Sequence, residues 1–288
     1  MDSLVTVARP NLDSPLRYPG GKSSLTGFLA KCASRMPDEK VTYIEPFAGG
    51  AGAATSLLVR GLVERIVIND LDPAVFSFWQ AVFCDGERFA RRVHTIPLTL
   101  KEWDRQRSIY YRRIPADDFE LGFSFFYLNR TNRSGVLNAG VIGGRAQNGR
   151  YKIGERFNRH HLASRIEALH ARRKSVEFSH DDGRKVIEHY SSEPGTLIYA
   201  DPPYVKMGGS LYYSKFDESQ HQLLSVCLNR NRSAWWFLTY DDAPLIRELY
   251  AGSHLGEYSL HWSANNKGMS TELYALSDPL FYALTEKD

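Results

Sequence analysis

Asp201-Pro202-Pro203-Tyr204 follows directly on the apolar run Ile198-Tyr199-Ala200 and carries the densest chemistry in this 288-residue chain. The two prolines withdraw two backbone N–H donors and leave the carbonyls beside them as acceptors. Asp201 adds a carboxylate and Tyr204 an aromatic face. Acceptors that converge beside a flat stacking surface suit a planar amine, and the exocyclic amino group of a nucleobase is one. Stacking asks for the ring of Tyr204 and not its hydroxyl, so phenylalanine is expected to be tolerated there.

A second constellation lies upstream, where Gly49, Gly50 and Gly52 follow a short apolar run and Asp70 comes about 20 residues later. Glycines at a strand end let the backbone approach a cofactor closely, and an acid closing the next strand can accept from ribose hydroxyls. S-adenosylmethionine and NAD share both needs, so the loop and Asp70 do not separate them. The dinucleotide fingerprint lacks its third glycine, since Thr55 stands there. Gly21-Lys22-Ser23 matches the end of a phosphate-binding loop, but Leu16 occupies the position of that motif's first glycine, which excludes an ATPase reading.

Together these residues resemble the Dam-like (D12 class) N6-adenine-specific DNA methyltransferases. The likeness rests on Arg17-Tyr18-Pro19-Gly20-Gly21-Lys22, Glu45-Pro46-Phe47-Ala48-Gly49-Gly50-Ala51-Gly52, Ile68-Asn69-Asp70 and Asp201-Pro202-Pro203-Tyr204, in the family's order. It extends thinly to Arg247-Glu248-Leu249-Tyr250 and Glu272-Leu273-Tyr274. The resemblance implies that Tyr18, Lys22, Glu45, Phe47, Gly49, Gly50, Gly52, Asp70 and Asp201 line the S-adenosylmethionine site. Asp182 is similar in place to the acid that receives the cofactor's adenine amine, with Asp181 as a substitute. It further implies methyl transfer to N6 of an adenine flipped out of double-stranded DNA, with Asp201, Pro202, Pro203 and Tyr204 as the catalytic motif and no metal. Transfer to RNA adenine, cytosine N4 or a glutamine side chain, or a catalytically silent DNA-binding protein, are the alternatives.

The charge distribution points to a polyanion partner. From residue 86 to 174 the chain has 19 Lys and Arg against 8 Asp and Glu, which leaves −8 for the rest of a chain whose formal charge is +3. Within this basic stretch, residues 129–148 collect Asn, Arg, Gly and Gln without periodicity, the composition of a loop that presents donors and acceptors. The resemblance makes it a target-recognition domain, with Asn129, Arg130, Arg133, Ser134, Asn138, Arg145, Arg150 and Lys152 as DNA-binding residues. Enzymes of this family that methylate GATC carry Asn-Arg-Tyr-Gly-Tyr-Asn-Gly where this chain has Asn129-Arg130-Thr131-Asn132-Arg133-Ser134-Gly135, and an arginine where it has Asn138. A recognition site other than GATC is therefore expected, with Arg133 and Asn138 reading bases and Arg145, Arg150 and Lys152 on phosphates.

The elements that must position these groups alternate. Strands are predicted at residues 41–45, 66–69, 176–178, 197–200, 236–239, 258–262 and 272–276, with helices at 53–60, 73–83 and 158–171. Such alternation requires an α/β fold, here a Rossmann-like methyltransferase core with a mainly parallel sheet. The core spans residues 1–85 and 175–288, and the mostly helical insert spans 86–174. Phe76, Trp79 and Phe83, spaced by three and four, read as core. With 43% hydrophobic content, no apolar run of about 18 residues and no signal-like N-terminus, a soluble cytoplasmic protein is expected, as a monomer or weak dimer. Cys32, Cys84 and Cys227 lack metal-ligand spacing and read as small buried apolar residues.

Overall fold

Residues 196–200 are buried along their whole length, as a strand covered on both faces must be. This computed structural model describes residues 4–8, 13–17, 22–112, 116–205, 216–262 and 268–286. In chain order α1 (Thr26–Ser34) leads to β1 (Thr42–Glu45), α2 (Gly52–Val59), β2 (Arg65–Asn69) and α3 (Pro73–Cys84). The insert contributes α4 (Gly86–Thr95), α5 (Leu100–Tyr110), α6 (Asp118–Thr131) and α7 (Arg159–Ala171). The sheet then resumes with β3 (Val176–Ser179), α8 (Gly183–Tyr190), β4 (Thr196–Ala200), α9 (Glu218–Arg230), β5 (Trp235–Asp241) and α10 (Pro244–Leu249). It closes with β6 (His254–Trp262), β7 (Gly268–Leu276) and α11 (Asp278–Thr285).

The seven strands order as β3-β2-β1-β4-β5-β7-β6, all parallel except β7, which runs antiparallel to both β5 and β6. Ile44 of β1 pairs with Val67 on one side and Ile198 on the other. The chain thus winds outward from β1 in one direction and, from β4, in the other. That reversal opens a crevice at the carboxyl ends of β1 and β4, where an α/β sheet binds its ligands. The glycine loop and Asp201-Pro202-Pro203-Tyr204 leave those two ends side by side.

Alternation along the strands sorts the core into two layers. Tyr43, Ile66, Ile68, Leu197, Tyr199 and Phe237 pack with α1 to α3, while Ile44, Val67, Ile198, Trp236 and Leu238 pack with α8 to α10. The insert has no separate core. Residues 121–129 of α6 are all buried, and a Cβ at Gly122 would come within 2.5 Å of the Ser77 backbone in α3. Phe78 of α3 stacks on Phe126 of α6 at 6.0 Å, and Phe89, Phe123 and Ile166 belong to the same apolar cluster as Tyr43.

Several expectations shift in detail. The helix expected at 158–171 begins one residue later, because Asn158 is its cap and accepts from the His161 N–H. Trp79 and Phe83 are buried as expected, whereas Phe76 is only half-buried and faces Phe178 and His180. Cys32 and Cys227 are buried but Cys84, at the end of α3, is exposed, which corrects the reading of all three as core residues. Among the described residues no helix is long and apolar enough to cross a membrane, and no group of three His, Cys, Asp or Glu could hold a metal.

Candidate active site

The glycine loop is shaped from outside by side chains of the sheet. Gly49 (φ +47°) and Ala51 (φ +41°) both adopt the left-handed conformation, which costs an alanine roughly 1–2 kcal/mol. Ala51 is held there by its N–H on the Ala48 carbonyl at 2.7 Å and by Thr55 Oγ1 on its own carbonyl at 2.6 Å. The Asp70 carboxylate accepts from the N–H of Gly49 at 2.8 Å and of Asp72 at 2.9 Å. Burial pushes Asp70 up to about 6, against the pull of those two bonds. Glu45, 4% exposed, accepts from the Tyr43 hydroxyl and from the Ala54 N–H, which ties the first turn of α2 to β1. Burial pushes its carboxyl up to about 8.

Asp201 directly follows β4, with both carboxylate oxygens engaged. Thr239 Oγ1 donates to one at 2.8 Å and itself lies 2.8 Å from the Tyr199 hydroxyl. Lys22 Nζ lies 3.3 Å from the other and equally 3.3 Å from Glu272 Oε2. That ammonium also donates to the Tyr204 hydroxyl at 2.6 Å, and Tyr204 in turn donates to Glu272 at 2.8 Å. Tyr258 supplies a further donor to the same Glu272 oxygen. Lys22, Tyr204, Tyr258 and Glu272 are all less than a tenth exposed, while Asp201 keeps 22% of its side chain in contact with solvent. Burial raises the Asp201 pKa and the Glu272 charge adds to the rise, although Lys22 and Thr239 oppose it. Burial alone would lower Lys22, but the two carboxylates outweigh it and raise it.

A carboxylate fixed at a strand end, with prolines beside it and a glycine loop alongside, can accept from an amine while a cofactor lies on the neighbouring loop. A family model for the D12 class N6 adenine-specific DNA methyltransferases matches residues 18–265. The chain belongs to that family. Type II methyltransferase M.MjaIII of Methanocaldococcus jannaschii is 25% identical over 70% of this chain and 73% of its own length. Type II methyltransferase M.CviBI of Paramecium bursaria Chlorella virus NC1A is 26% identical over 84% and 88%. The DNA N-6-adenine-methyltransferase of Escherichia phage P1 is 26% identical over 83% of this chain but 31% of its own. The activity of this chain is therefore transfer of a methyl group to adenine N6 in DNA, and membership of that family implies S-adenosylmethionine as donor.

Several of the residues expected on the donor are gathered around the loop after β1. Gly49, Gly50 and Gly52 lie at the switch point, and a Cβ at Gly52 would come within 3.2 Å of Ser23, just after Lys22. Phe47 packs edge-on against Phe216, and its ring would meet a Cβ at Gly183 at 2.7 Å. Tyr18 lies outside the described residues. Glu45 and Lys22 are placed differently from expectation: Glu45 anchors α2, and the Lys22 ammonium serves Asp201, Tyr204 and Glu272. Asp182 caps α8 through the Arg184 N–H and pairs with the Arg184 guanidinium, whereas among the described residues the exposed Asp181 side chain makes no hydrogen bond. Tyr204 departs most from expectation, because its ring is 7% exposed and its hydroxyl is a junction of the buried network.

Sequence reasoning missed Asn69, fully buried, whose amide donates to the carbonyls of Pro46 and Asp181 and accepts from the Asp181 N–H. It clamps the three loops after β1, β2 and β3 together. An amide beside Asp70 in an otherwise apolar strand was the available signal. Glu272, Tyr258 and Thr239 were missed as parts of the site because they lie far from Asp201 in sequence.

The insert divides the expected DNA-binding residues. Arg133, Ser134, Asn138, Arg150 and Lys152 are exposed. Ser134 sits at φ +56°, at the tip of a loop closed by a bridge between Asn132 and Val141. Asn132, fully buried, ties that loop from below: it accepts from Trp103 Nε1 at 2.7 Å and donates to the carbonyls of Val136 and Leu137. Asn129 is 1% exposed and spends its amide on Arg17 and Gly135, which corrects its expected role on DNA. Arg145 is held bidentately by Asp104 at 2.8 and 2.9 Å, so it is not a bare guanidinium awaiting a phosphate. Arg130 is half-buried against the Arg156 carbonyl.

Proposed function

We propose that this methyltransferase takes its target adenine out of a DNA duplex and presents the N6 amine to Asp201 and the Pro202 carbonyl, at a site other than GATC. The N6 lone pair is delocalised into the ring, and two acceptors on its N–H bonds favour a tetrahedral, more nucleophilic nitrogen. The Asp201 carboxylate is fixed by Thr239 and Lys22 before the base arrives, so orientation and electrostatics carry the rate. Extrusion of the base costs a few kcal/mol, part of which contacts around the Asp-Pro-Pro-Tyr motif return. S-adenosylmethionine would supply the methyl group from its sulfonium: the N–C bond forms as the C–S bond breaks, the donor leaves as the neutral thioether, and N6 gives up one proton to solvent.

Gly49, Gly50 and Gly52 would give it close backbone approach, and Asp70 would accept from the ribose. Asp181 suits the cofactor's adenine amine better than Asp182, since Arg184 already occupies the latter. Arg133 and Asn138, exposed at the tip of the Asn132 loop, are the base readers, and Arg150 and Lys152 the phosphate contacts.

The observation that carries this reading is the Asp201 carboxylate, fixed by Thr239 and Lys22 beside the glycine loop at the sheet's switch point. Asp201→Ala should abolish transfer of labelled methyl groups while duplex binding persists, because the loss falls on the transition state. Full activity in that variant would remove Asp201 from the reaction. Expression of the wild type in cells without adenine methylation, followed by mapping of modified bases, gives the recognised site. A map restricted to GATC would refute the specificity claim and leave the enzyme class intact.

A further inference from the structure

Four arginines from distant parts of the chain converge beside the insert. Arg17 lies flat on it: its N–H donates to Asn129 Oδ1 at 2.8 Å, its carbonyl accepts from Asn129 Nδ2 at 2.9 Å, and that carbonyl fills the space a Cβ at Gly135 would need. Next to Asn129 is Arg130, whose Nε donates to the Arg156 carbonyl at 2.9 Å. From α7, Arg165 Nη1 lies 3.4 Å from the Ser14 carbonyl of the same N-terminal segment. Among the described residues none of the four makes an ion pair. Asp13, the acid whose charge Arg165 feels, is already taken by Ser56 at 2.7 Å and Arg60 at 3.3 Å.

Such an arrangement is costly without an anion. Arg17 Nη1 is buried with no acceptor among the described residues. Burial, and then repulsion from Arg17, Arg165 and Arg156, pulls Arg130 down to about 9. Arg17 is lowered by burial and by Arg156. Buried cations are ordinarily paired, and planar guanidiniums match the oxygens of a phosphate.

We propose that Arg17, Arg130, Arg156 and Arg165 form a phosphodiester site for the DNA strand that carries the target adenine. Arg17 stands only five residues before Lys22, whose ammonium lies 3.3 Å from Asp201, so the Arg17 end of the cluster lies within about 18 Å of the Lys22 backbone. A turn of duplex is about 34 Å, which keeps the cluster on phosphates near the target. The site holds the strand by charge while the Asn132 loop reads bases, and it rests on the reading of the insert as the DNA-binding part.

Arg156→Gln and Arg165→Gln test it, because the first residue is exposed and the second makes only a long backbone contact. Each should reduce the slope of log affinity against log salt concentration by about 0.9. A duplex with a single uncharged methylphosphonate linkage, moved step by step along the target strand, should weaken wild-type binding about tenfold at one or two positions. The variants should show no further loss there, and Arg156→Lys should recover most of the slope. Folded variants with a wild-type slope and methylphosphonate profile would overturn the proposal while leaving the DNA reading intact. Absence of duplex binding by the wild type would overturn both. Inorganic phosphate, titrated against chloride at equal ionic strength, checks the other source of the same chemistry. A phosphate-specific rise in melting temperature that the variants lose, together with an unchanged DNA slope, would reassign the site to a free phosphate and overturn the strand assignment.

Discussion

Behind Asp201, Lys22 and Glu272 face each other almost wholly out of water, with Tyr204 and Tyr258 donating into the same carboxylate. At the tip of the insert, Arg133, Asn138, Arg150 and Lys152 stand in solvent, and even the paired Arg145 and Asp104 remain 65% and 47% exposed. Both regions are rich in charge, yet burial changes what a charge is worth. In the buried network each group is the partner that makes its neighbour tolerable, so its geometry has little freedom to vary. On the insert the water screens each charge, and the loop's shape is fixed from below by Asn132, so the side chains at the tip can change without disturbing the scaffold. Reaction and recognition are thus separated by dielectric as well as by position.

Lys22→Met should sharpen that contrast most. It leaves Asp201 and Glu272 buried together without a counter-charge, and breaking a buried pair by removing one partner costs about 3–5 kcal/mol. Urea unfolding should register that loss, and methyl transfer should be abolished. A loss below about 1 kcal/mol would put Lys22 in the class of exposed pairs instead.

Tyr204→Phe comes next. A stacking role alone predicts near-normal activity, but the hydroxyl bridges Lys22 and Glu272 at 2.6 and 2.8 Å. Its removal leaves buried donors and acceptors short of a partner, at about 1–3 kcal/mol. We expect kcat to fall about tenfold or more on that scale, with S-adenosylmethionine affinity measured by calorimetry unchanged. Wild-type kcat in the phenylalanine variant would return Tyr204 to a stacking role.

Glu272→Gln has a smaller and more specific signature. Burial raises the Asp201 pKa, Glu272 raises it further by like-charge repulsion, and Lys22 and Thr239 pull the other way. Removing the Glu272 charge therefore lowers the Asp201 pKa. If Asp201 must be ionised to accept the N6 proton bonds, the acid limb of the pH–kcat profile moves to lower pH. A residue that merely braced the fold would depress kcat without moving that limb, and an unmoved limb rejects the positioning role.

The two regions also differ in how much of them the sequence disclosed. The strands and the loops between them were legible because apolar runs, glycines and caps are local signals: β2, β4 and the loop after β1 fall where the pattern puts them, within a residue or two. The partners of Asp201 were not, since Thr239 and Glu272 reach it only through the neighbouring order β4-β5-β7 and Lys22 from the segment before α1, all long-range properties. Asn129 and Asn132 misled in the opposite way. In a stretch of Asn, Arg and Gly both read as surface, but burial beside Trp103 and Arg17 turns their amides inward. Composition reports what a loop can present, and packing decides which way each side chain faces.

Arg133→Ala should have the smallest effect on the molecule and an effect confined to recognition. Arg133 is exposed, and its backbone N–H on the Gly140 carbonyl does not depend on its side chain, so stability should change by no more than about 0.5 kcal/mol. A base contact carries about 1–3 kcal/mol of discrimination, so the variant should accept other bases at one position of the methylated site and keep its preference elsewhere. Asn132→Ala, one residue away, should do the reverse. It strips the acceptor from Trp103 Nε1 and two donors from the loop carbonyls, which unsettles the whole loop and weakens selection at every position at once. Methylation of a duplex library randomised around adenine distinguishes the two patterns. If both variants relaxed every position alike, Arg133 would belong to the scaffold and the division between a fixed base and a variable tip would fail.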